Sequence, residues 1–496
     1  GMGFALLSIL IVSTWCRIFP AKSCLISWVH YKAFVVAPAG CGKTQLIAQA
    51  VYVASNQRSL VLTHTYAGVD ALRKRLKDLG APAPTYEVET IAGWSLRLAL
   101  SFPNSSGIRT RRPEKQQWDV VYAAAASLLS IRAIKMVVEA SYDSVFVDEY
   151  QDCSPLQHKI ILKLAEILPT RILGDPMQGI FDFKGSRIVD WQNDVEPNFT
   201  KLFRLTKPYR WAKKSPALGE WLLLVRHQLE ASRPIDLRSA PSEYVRFVQL
   251  PSKPKQQAAI QREQFKLAKC KEKETLLAIH SWEHQCHKIA RFTGGKFRST
   301  ETIECPAFFK AAKAFDNATD GSALAREVFK FACQCLTKIK TDLGKTAERV
   351  FDGYGLQKNH TYKYQKQLDA LVKIVESGSL SSVREALIVL SKMPGAKKAR
   401  YELFLEMLNT LREYETGQYD RLEEAAVRTR DRTRRMGRAP GCYVVSRTLL
   451  VKGLEFDHVI VLNADDLDKK NLYVALTRAS RSLTVLSTSP ILDPRW

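Results

Sequence analysis

The sequence predicts an α/β protein built on parallel sheets, and three observations predict it. A strand-like stretch ending in Phe34-Val35-Val36 runs through the glycine-bearing loop APAGCGKT (37–44) into a helical apolar pattern at Gln45–Ser55. A second short apolar run, Ser144–Val147, ends on the acidic pair Asp148-Glu149. Far along the chain, CYVVS (442–446) and HVIVLN (458–463) read as further strands, separated from the first two by long stretches of helical periodicity. With 496 residues the chain is long enough for roughly three domains with sizeable cores.

Each element then carries a chemical expectation. In the first loop, Gly40 and Gly42 allow positive φ and close backbone approach, so the N–H groups of Ala39, Gly40, Cys41 and Gly42 can point at phosphate oxygens. The helix that follows adds its N-terminal partial charge. Lys43 would reach the β- and γ-phosphates and Thr44 would ligand Mg²⁺. Ala37 stands where the usual pattern has its first glycine, and a glycine-rich turn before a helix is the plain alternative. The acidic pair weighs against that alternative. Ligands of open α/β sheets bind at the carboxyl ends of strands, where Asp148 can hold Mg²⁺ and Glu149 can orient or deprotonate an attacking water. An acidic pair alone commonly begins a helix; beside a phosphate cradle it reads as a hydrolytic centre.

Composition fits a polyanionic partner. The formal charge is +24, although basic side chains also serve as ordinary solvated faces. Ten cysteines are scattered without a C-x-x-C pair, which favours free thiols in a reducing, cytoplasmic setting over a disulfide framework or an iron–sulfur cluster. Phe4–Val12 (FALLSILIV) is apolar but too short to span a bilayer and has no basic residue before it. Residues 1–31 therefore read as a buried strand or helix, with neither membrane attachment nor export expected.

Five further strings make the chain resemble a family, the UvrD/Rep/PcrA-like superfamily 1 helicases. VDEYQD (147–152) is very close to that family's second motif, and ILGDPMQGIFDFKGS (172–186) looks like its third. KPYRW (207–211) resembles the fourth, VKGLEFD (451–457) the fifth and YVALTRA (473–479) the sixth. LTHTYAGVDALRKRL (62–76) and TIAGWSLRL (90–98) look like its nucleic-acid contact segments. The family often carries alanine where Ala37 stands. The chain departs from the pattern at Gln45 (usually arginine), His64 (phenylalanine), Pro208 (asparagine) and Leu449-Leu450 (His-Ser), and residues 1–34 show no adenine-reading glutamine motif.

The resemblance implies two RecA-like P-loop domains, each with a mainly helical insertion. The first would take 32–92 and 141–200 around an insertion at 93–140; the second would take 201–315 and 436–496 around an insertion at 316–435. It implies ATP and Mg²⁺ as cofactors, with Gln178 sensing the γ-phosphate, Arg210 and Arg478 as arginine fingers from the second domain, Tyr209 stacking on the base and Glu455 contacting the ribose. His64, Phe181 and Phe183 fall where the family stacks bases, and Thr63, Thr65, Thr90 and Lys184 where it contacts the strand backbone. The function so implied is an ATP-dependent single-stranded DNA translocase or helicase, 3′→5′ by analogy, acting on single strands or tailed duplexes. The alternative is a nucleic-acid-gated ATPase that regulates a partner, such as a nuclease, in DNA repair or antiphage defence.

HSWEHQCH (280–287) matches a zinc-hydrolase spacing, H-x-x-E-H. Thr275–Ile279 reads as a strand, however, so His280-Ser281 forms its turn, with Ser281 capping the next helix. His280 and His284 then do not share a helical face, and no metal site is assigned there.

Overall fold

Alternation builds the first sheet. The computed structural model describes residues 31–111, 113–180, 187–302, 304–357, 359–436 and 441–494. All but the last residue of the N-terminal segment 1–31 lies outside them. Strands β1 (Lys32–Val36), β2 (Ser59–Thr63), β3 (Tyr86–Thr90), β4 (Ser144–Val147), β5 (Thr170–Gly174) and β6 (Thr200–Arg204) pair in the order β3-β2-β4-β5-β1-β6, every pair parallel. Phe34, Val36, Leu60, Leu62, Val145, Val147 and Ile172 enter the core on one face. Their neighbours Val35, Val61, Phe146 and Leu173 enter the core on the other. That is the period of two expected of strands covered on both sides.

Helices Lys43–Val53 and Tyr66–Asp78 cover the second face through Leu46, Ile47, Val69 and Leu72. The stretch expected as an insertion, 93–140, is helical: Ile91–Ser101, Trp118–Leu128 and Arg132–Ser141. Together with Pro155–Ile167 these helices cover the first face through Trp94, Ala125, Val138 and Leu164.

The chain divides into two units, Gly1–Arg233 with Lys469–Thr477, and Pro234–Asp468 with Arg478–Trp496. This moves the expected boundary at 200/201 and adds a return. β6 pairs with β1, and the helix Pro216–Glu230 is held to the first unit by a buried ion pair between Arg226 and Asp175, so the first unit continues through Arg233. The helix Lys469–Leu476 also belongs to it, through Tyr473.

In the second unit, β8 (Val245–Gln249), β9 (Leu276–Ile279), β10 (Arg298–Ser299), β11 (Tyr443–Ser446), β12 (Phe456–Val461) and β13 (Ala479–Ser487) form a second parallel sheet, ordered β10-β11-β9-β12-β13-β8. A short antiparallel ribbon joins β7 (Ile235–Asp236) to β14 (Ile491–Leu492). The helices from Pro306–Asp316 to Leu422–Met436 gather their own apolar core, from Phe308 to Ala426. That layer begins before the expected 316, because Pro306 opens its first helix at a position where a missing N–H costs nothing. The fold class is thus two parallel-sheet α/β cores flanked by helices. Among the described residues no single helix is long and apolar enough to cross a membrane, and the eight described cysteines are free thiols.

His280 follows β9, and the next helix starts at Glu283, so His280 and His284 do not share a helical face. Ser281 does not cap that helix: its N-cap is Trp282, without a side-chain cap, and the Ser281 hydroxyl is buried without a partner. His287, Glu283 and Glu301 bring three ligand-type atoms within 4.8 Å of one another, but Glu301 already carries a two-pronged ion pair with Arg400.

The buried His280 imidazole accepts the Trp282 N–H on Nδ1 at 3.1 Å, and burial, with His284 adding to it, pulls its pKa down to about 4. The unfolded chain therefore takes up this proton first. The stability due to neutral His280 is complete above about 6.5 and is lost as pH falls towards 4, on the order of 3 kcal/mol in all. Denaturant titrations of wild type and His280→Gln across that window should show the wild type losing more stability than the variant; parallel pH profiles would contradict this.

Candidate nucleotide site

The phosphate loop is an extension of β1. The Ala37 N–H donates to the Gly174 carbonyl at 2.8 Å, carrying the β1–β5 pairing one residue past the strand. The chain then turns tightly, with the Cys41 N–H donating to the Pro38 carbonyl at 3.1 Å. Gly40 and Gly42 have φ of 71° and 86°, the left-handed region that disfavours a side chain. Gly42 is the N-cap of the helix Lys43–Val53, whose first turn has no side-chain cap and no acidic residue. The first N–H groups of that helix thus have no side chain competing for them.

KPYRW folds onto this loop. The Arg210 N–H donates to the Gly40 carbonyl at 3.1 Å, and the buried Trp211 ring lies directly over Gly40. A Cβ on Gly40 would stand 2.5 and 2.8 Å from that ring, and one on Gly42 would stand 3.2 Å from the ring of Tyr209. Tyr209 is otherwise exposed, with the Lys207 ammonium 5.1 Å from its ring centre. Arg210 is half-buried, and its Nη1 donates to the Thr477 carbonyl at 2.7 Å.

At the end of β4 the Asp148 N–H donates to the Leu62 carbonyl at 2.8 Å, which fixes the buried carboxylate at the carboxyl end of the sheet. Glu149 follows with φ of 55°, a strained conformation for a residue with a side chain. The Lys43 Nζ lies 2.6 Å from Glu149 Oε2 and 3.5 Å from Asp148 Oδ1. Burial alone would lower the Lys43 pKa, but the two carboxylates outweigh it and hold the ammonium charged. Burial pushes Asp148 up to about 6 against the pull of Lys43, and the neighbouring Glu149 charge adds to the rise.

A second layer holds these groups. Gln151 Nε2 donates to Glu149 Oε2 at 2.6 Å, and Gln151 Oε1 accepts the Asp175 N–H at 2.9 Å. Asp175, fully buried, accepts from Gln178 Nε2 at 2.9 Å on one oxygen and from Arg226 Nη2 at 2.7 Å on the other. Tyr473, also buried, accepts the Ala39 N–H on its hydroxyl at 3.1 Å, so the Ala39 and Cys41 N–H groups, expected to face phosphate, are bonded within the protein instead. The oxygen donors of Thr44 and Asp148 suit Mg²⁺, a hard cation that keeps several waters.

Some expected site residues lie elsewhere than the resemblance implies. Arg210 belongs to the first unit, on the phosphate loop itself, and not to the second domain. Arg478 and Glu455 belong to the second unit: the exposed Glu455 precedes β12, and the buried Arg478, which precedes β13, donates from Nη1 to the Leu454 carbonyl at 3.1 Å. Thr63 and Thr90 are buried and so present no hydroxyl for a strand to touch. The Thr90 and Thr65 hydroxyls instead cap helices, accepting from the N–H of Gly93 at 2.9 Å and Gly68 at 3.0 Å. His64 is half-buried, 3.4 Å from the Cys153 sulfur. Phe181, Phe183 and Lys184 lie outside the described residues. Sequence reasoning passed over Gln151, Asp175, Trp211 and Tyr473, which sit inside the motif strings. It also passed over Arg226, whose one signal is a charge one turn after Leu222 in the apolar stripe of its helix.

Comparison with known proteins agrees with the family resemblance. Residues 108–197 match the family model described as the UvrD/REP helicase N-terminal domain. Among solved structures, the chain is similar to the arterivirus nonstructural protein 10 helicase in complex with DNA, at 12% identity and a TM-score of 0.34, covering 94% of this chain and 62% of that one. A structure of the arterivirus nonstructural protein 10 helicase alone matches with the same identity and TM-score, covering 61% of that chain. The chain thus spans about three-fifths of these viral proteins. No curated protein matches it.

Gly40→Ala should distort the loop, since its Cβ meets the Trp211 ring and its φ is positive. Nucleotide affinity is expected to fall about tenfold or more, whereas Gly80→Ala, which has a similar φ of 76° but nothing near its Cβ, imposes the backbone strain without the clash on the loop and should leave affinity unchanged. Titration with a fluorescent nucleotide checks both.

Proposed function

We propose that this chain hydrolyses ATP to move along single-stranded DNA, as a translocase or helicase running 3′→5′. One observation carries the reading: Lys43, Asp148 and Glu149 converge within 3.5 Å at the carboxyl end of a parallel sheet, beside a glycine loop that opens a helix. That is the equipment for phosphoryl transfer to water, where positioning and electrostatics do most of the catalysis.

On this reading Lys43 exchanges Glu149 for phosphate oxygens when ATP binds, which releases the Glu149 carboxylate to orient water. Gln151 keeps that carboxylate from swinging away. Mg²⁺, held by Thr44 and Asp148, would neutralise charge between the β- and γ-phosphates. Arg210, whose N–H is bonded to Gly40 of the phosphate loop, would add a second cation beside Lys43, and Tyr209 offers an exposed ring beside Gly42 for the base. Support for the nucleic-acid side is the +24 charge and the helicase family match.

The test separates binding from chemistry. Lys43→Ala should lose ATP binding. Glu149→Gln removes the charge that competes with phosphate for Lys43, so it should bind ATP at least as tightly as wild type while turnover drops by about 10² or more. ATPase rates with and without single-stranded DNA, beside strand displacement on 3′-tailed and 5′-tailed duplexes, then test the movement. Stimulation without displacement of either duplex would favour a gated ATPase; no hydrolysis under any condition would end the proposal.

A further inference from the structure

We infer that Arg226, outside every motif, is the positioning residue that couples Gln178 and Glu149 to the phosphate loop through Asp175 and Tyr473. The inference rests on the ATPase reading and deepens it.

Arg226 is 2% exposed in the middle of the helix Pro216–Glu230. Its Nη2 and Nε both donate to Asp175 Oδ1, at 2.7 and 3.3 Å, and its Nη1 donates to Glu230 at 2.8 Å. The face of the guanidinium is also used: its carbon lies 6.0 Å from the ring centre of Tyr473, whose hydroxyl holds the Ala39 N–H. One side chain therefore touches both the acidic anchor of the third motif and the ring that supports the phosphate loop.

Asp175 passes the connection on. Its second oxygen takes the Gln178 amide, which fixes which way round that amide sits. Its N–H holds Gln151, which holds Glu149, which pairs with Lys43 at 2.6 Å. The path from Lys43 thus closes on itself, back to Ala39 four residues upstream. A buried ion pair is poor value for stability alone, since apolar side chains of the same volume commonly do as well or better. Here the pair fixes the Asp175 carboxylate in one orientation as a double acceptor, and lysine cannot replace the arginine, because a single ammonium cannot reach Asp175 and Glu230 and also stack on Tyr473.

The experiment compares Arg226→Lys, Arg226→Met and the double variant Arg226→Met/Asp175→Asn with wild type, reading Tm, nucleotide Kd and ATPase kcat. Arg226→Lys keeps the buried charge balanced, and is expected to retain Kd within about threefold while kcat falls roughly 10- to 100-fold, the scale of a misplaced catalytic group. Arg226→Met should lower Tm by leaving Asp175 unpaired, and the double variant should recover Tm but not kcat. Wild-type kcat in Arg226→Lys, or recovery of kcat together with Tm in the double variant, shows that Arg226 only holds the fold and overturns the inference. A wild-type chain without ATPase activity overturns the underlying reading instead, and this inference with it.

Discussion

One ammonium group organises the first unit. Lys43 Nζ lies between Glu149 and Asp148, and it is the positive charge that lets two neighbouring carboxylates stand at the end of a buried sheet. Without it the carboxylates would repel each other in a poorly solvated place, and at least one would take a proton. With it, three charges occupy the few ångströms where the helix Lys43–Val53 begins, and that helix adds its own positive end. The site is close to charge balance before any ligand arrives. On the proposed reading an incoming phosphate competes with Glu149 for Lys43, and what it displaces is the group a hydrolytic reaction needs unpaired.

The geometry that makes this possible is made by backbone and by aromatic packing. Gly40 and Gly42 turn the loop through positive φ, and Trp211 then fills the space a side chain would have taken. A loop of this kind would ordinarily be mobile. Here a ring pressed on Gly40, an N–H from Arg210 and a hydroxyl from Tyr473 hold it from three directions. Preorganisation of this sort lowers the entropy lost when a ligand is ordered, and it keeps N–H groups aimed at a fixed point.

Much of this was legible in the sequence because it is local. A strand, a glycine turn and a helix N-terminus follow one another within the stretch 32–53, and the same holds for β4 and its acidic pair. What was not legible is what depends on distant parts of the chain. β6 is an edge strand with exposed and half-buried residues, so TKLFR gives no apolar run to mark it as the sixth strand of the first sheet. Arg210, a few residues past β6, consequently falls in the first unit, whereas the resemblance implies the second domain. Thr65 and Thr90 show a different limit: a hydroxyl at the start of a helix is equally suited to capping the helix or touching a phosphate, and only the observed N–H partners choose. Arg226 shows a third, since its acceptor Asp175 lies 51 residues away and nothing near Arg226 in sequence announces it.

Such non-local polar contacts differ in kind from the apolar core around them. Leucines and valines on either side of the sheet can shift by tenths of an ångström at little cost. A fully buried carboxylate with four donors on it has one arrangement that satisfies them and no graded alternatives. The connection from Lys43 through Gln151 and Asp175 to Arg226 and Tyr473 therefore transmits position stiffly. On the proposed reading, a change of partner at Glu149 would oblige Gln151 to follow it or give up its bond, and the adjustment would reach the helix Lys469–Leu476 through groups already in contact. The phosphate loop and the packing of a helix more than 400 residues further along the sequence are in this way joined by hydrogen bonds, a buried ion pair and the contact of Arg226 with the Tyr473 ring.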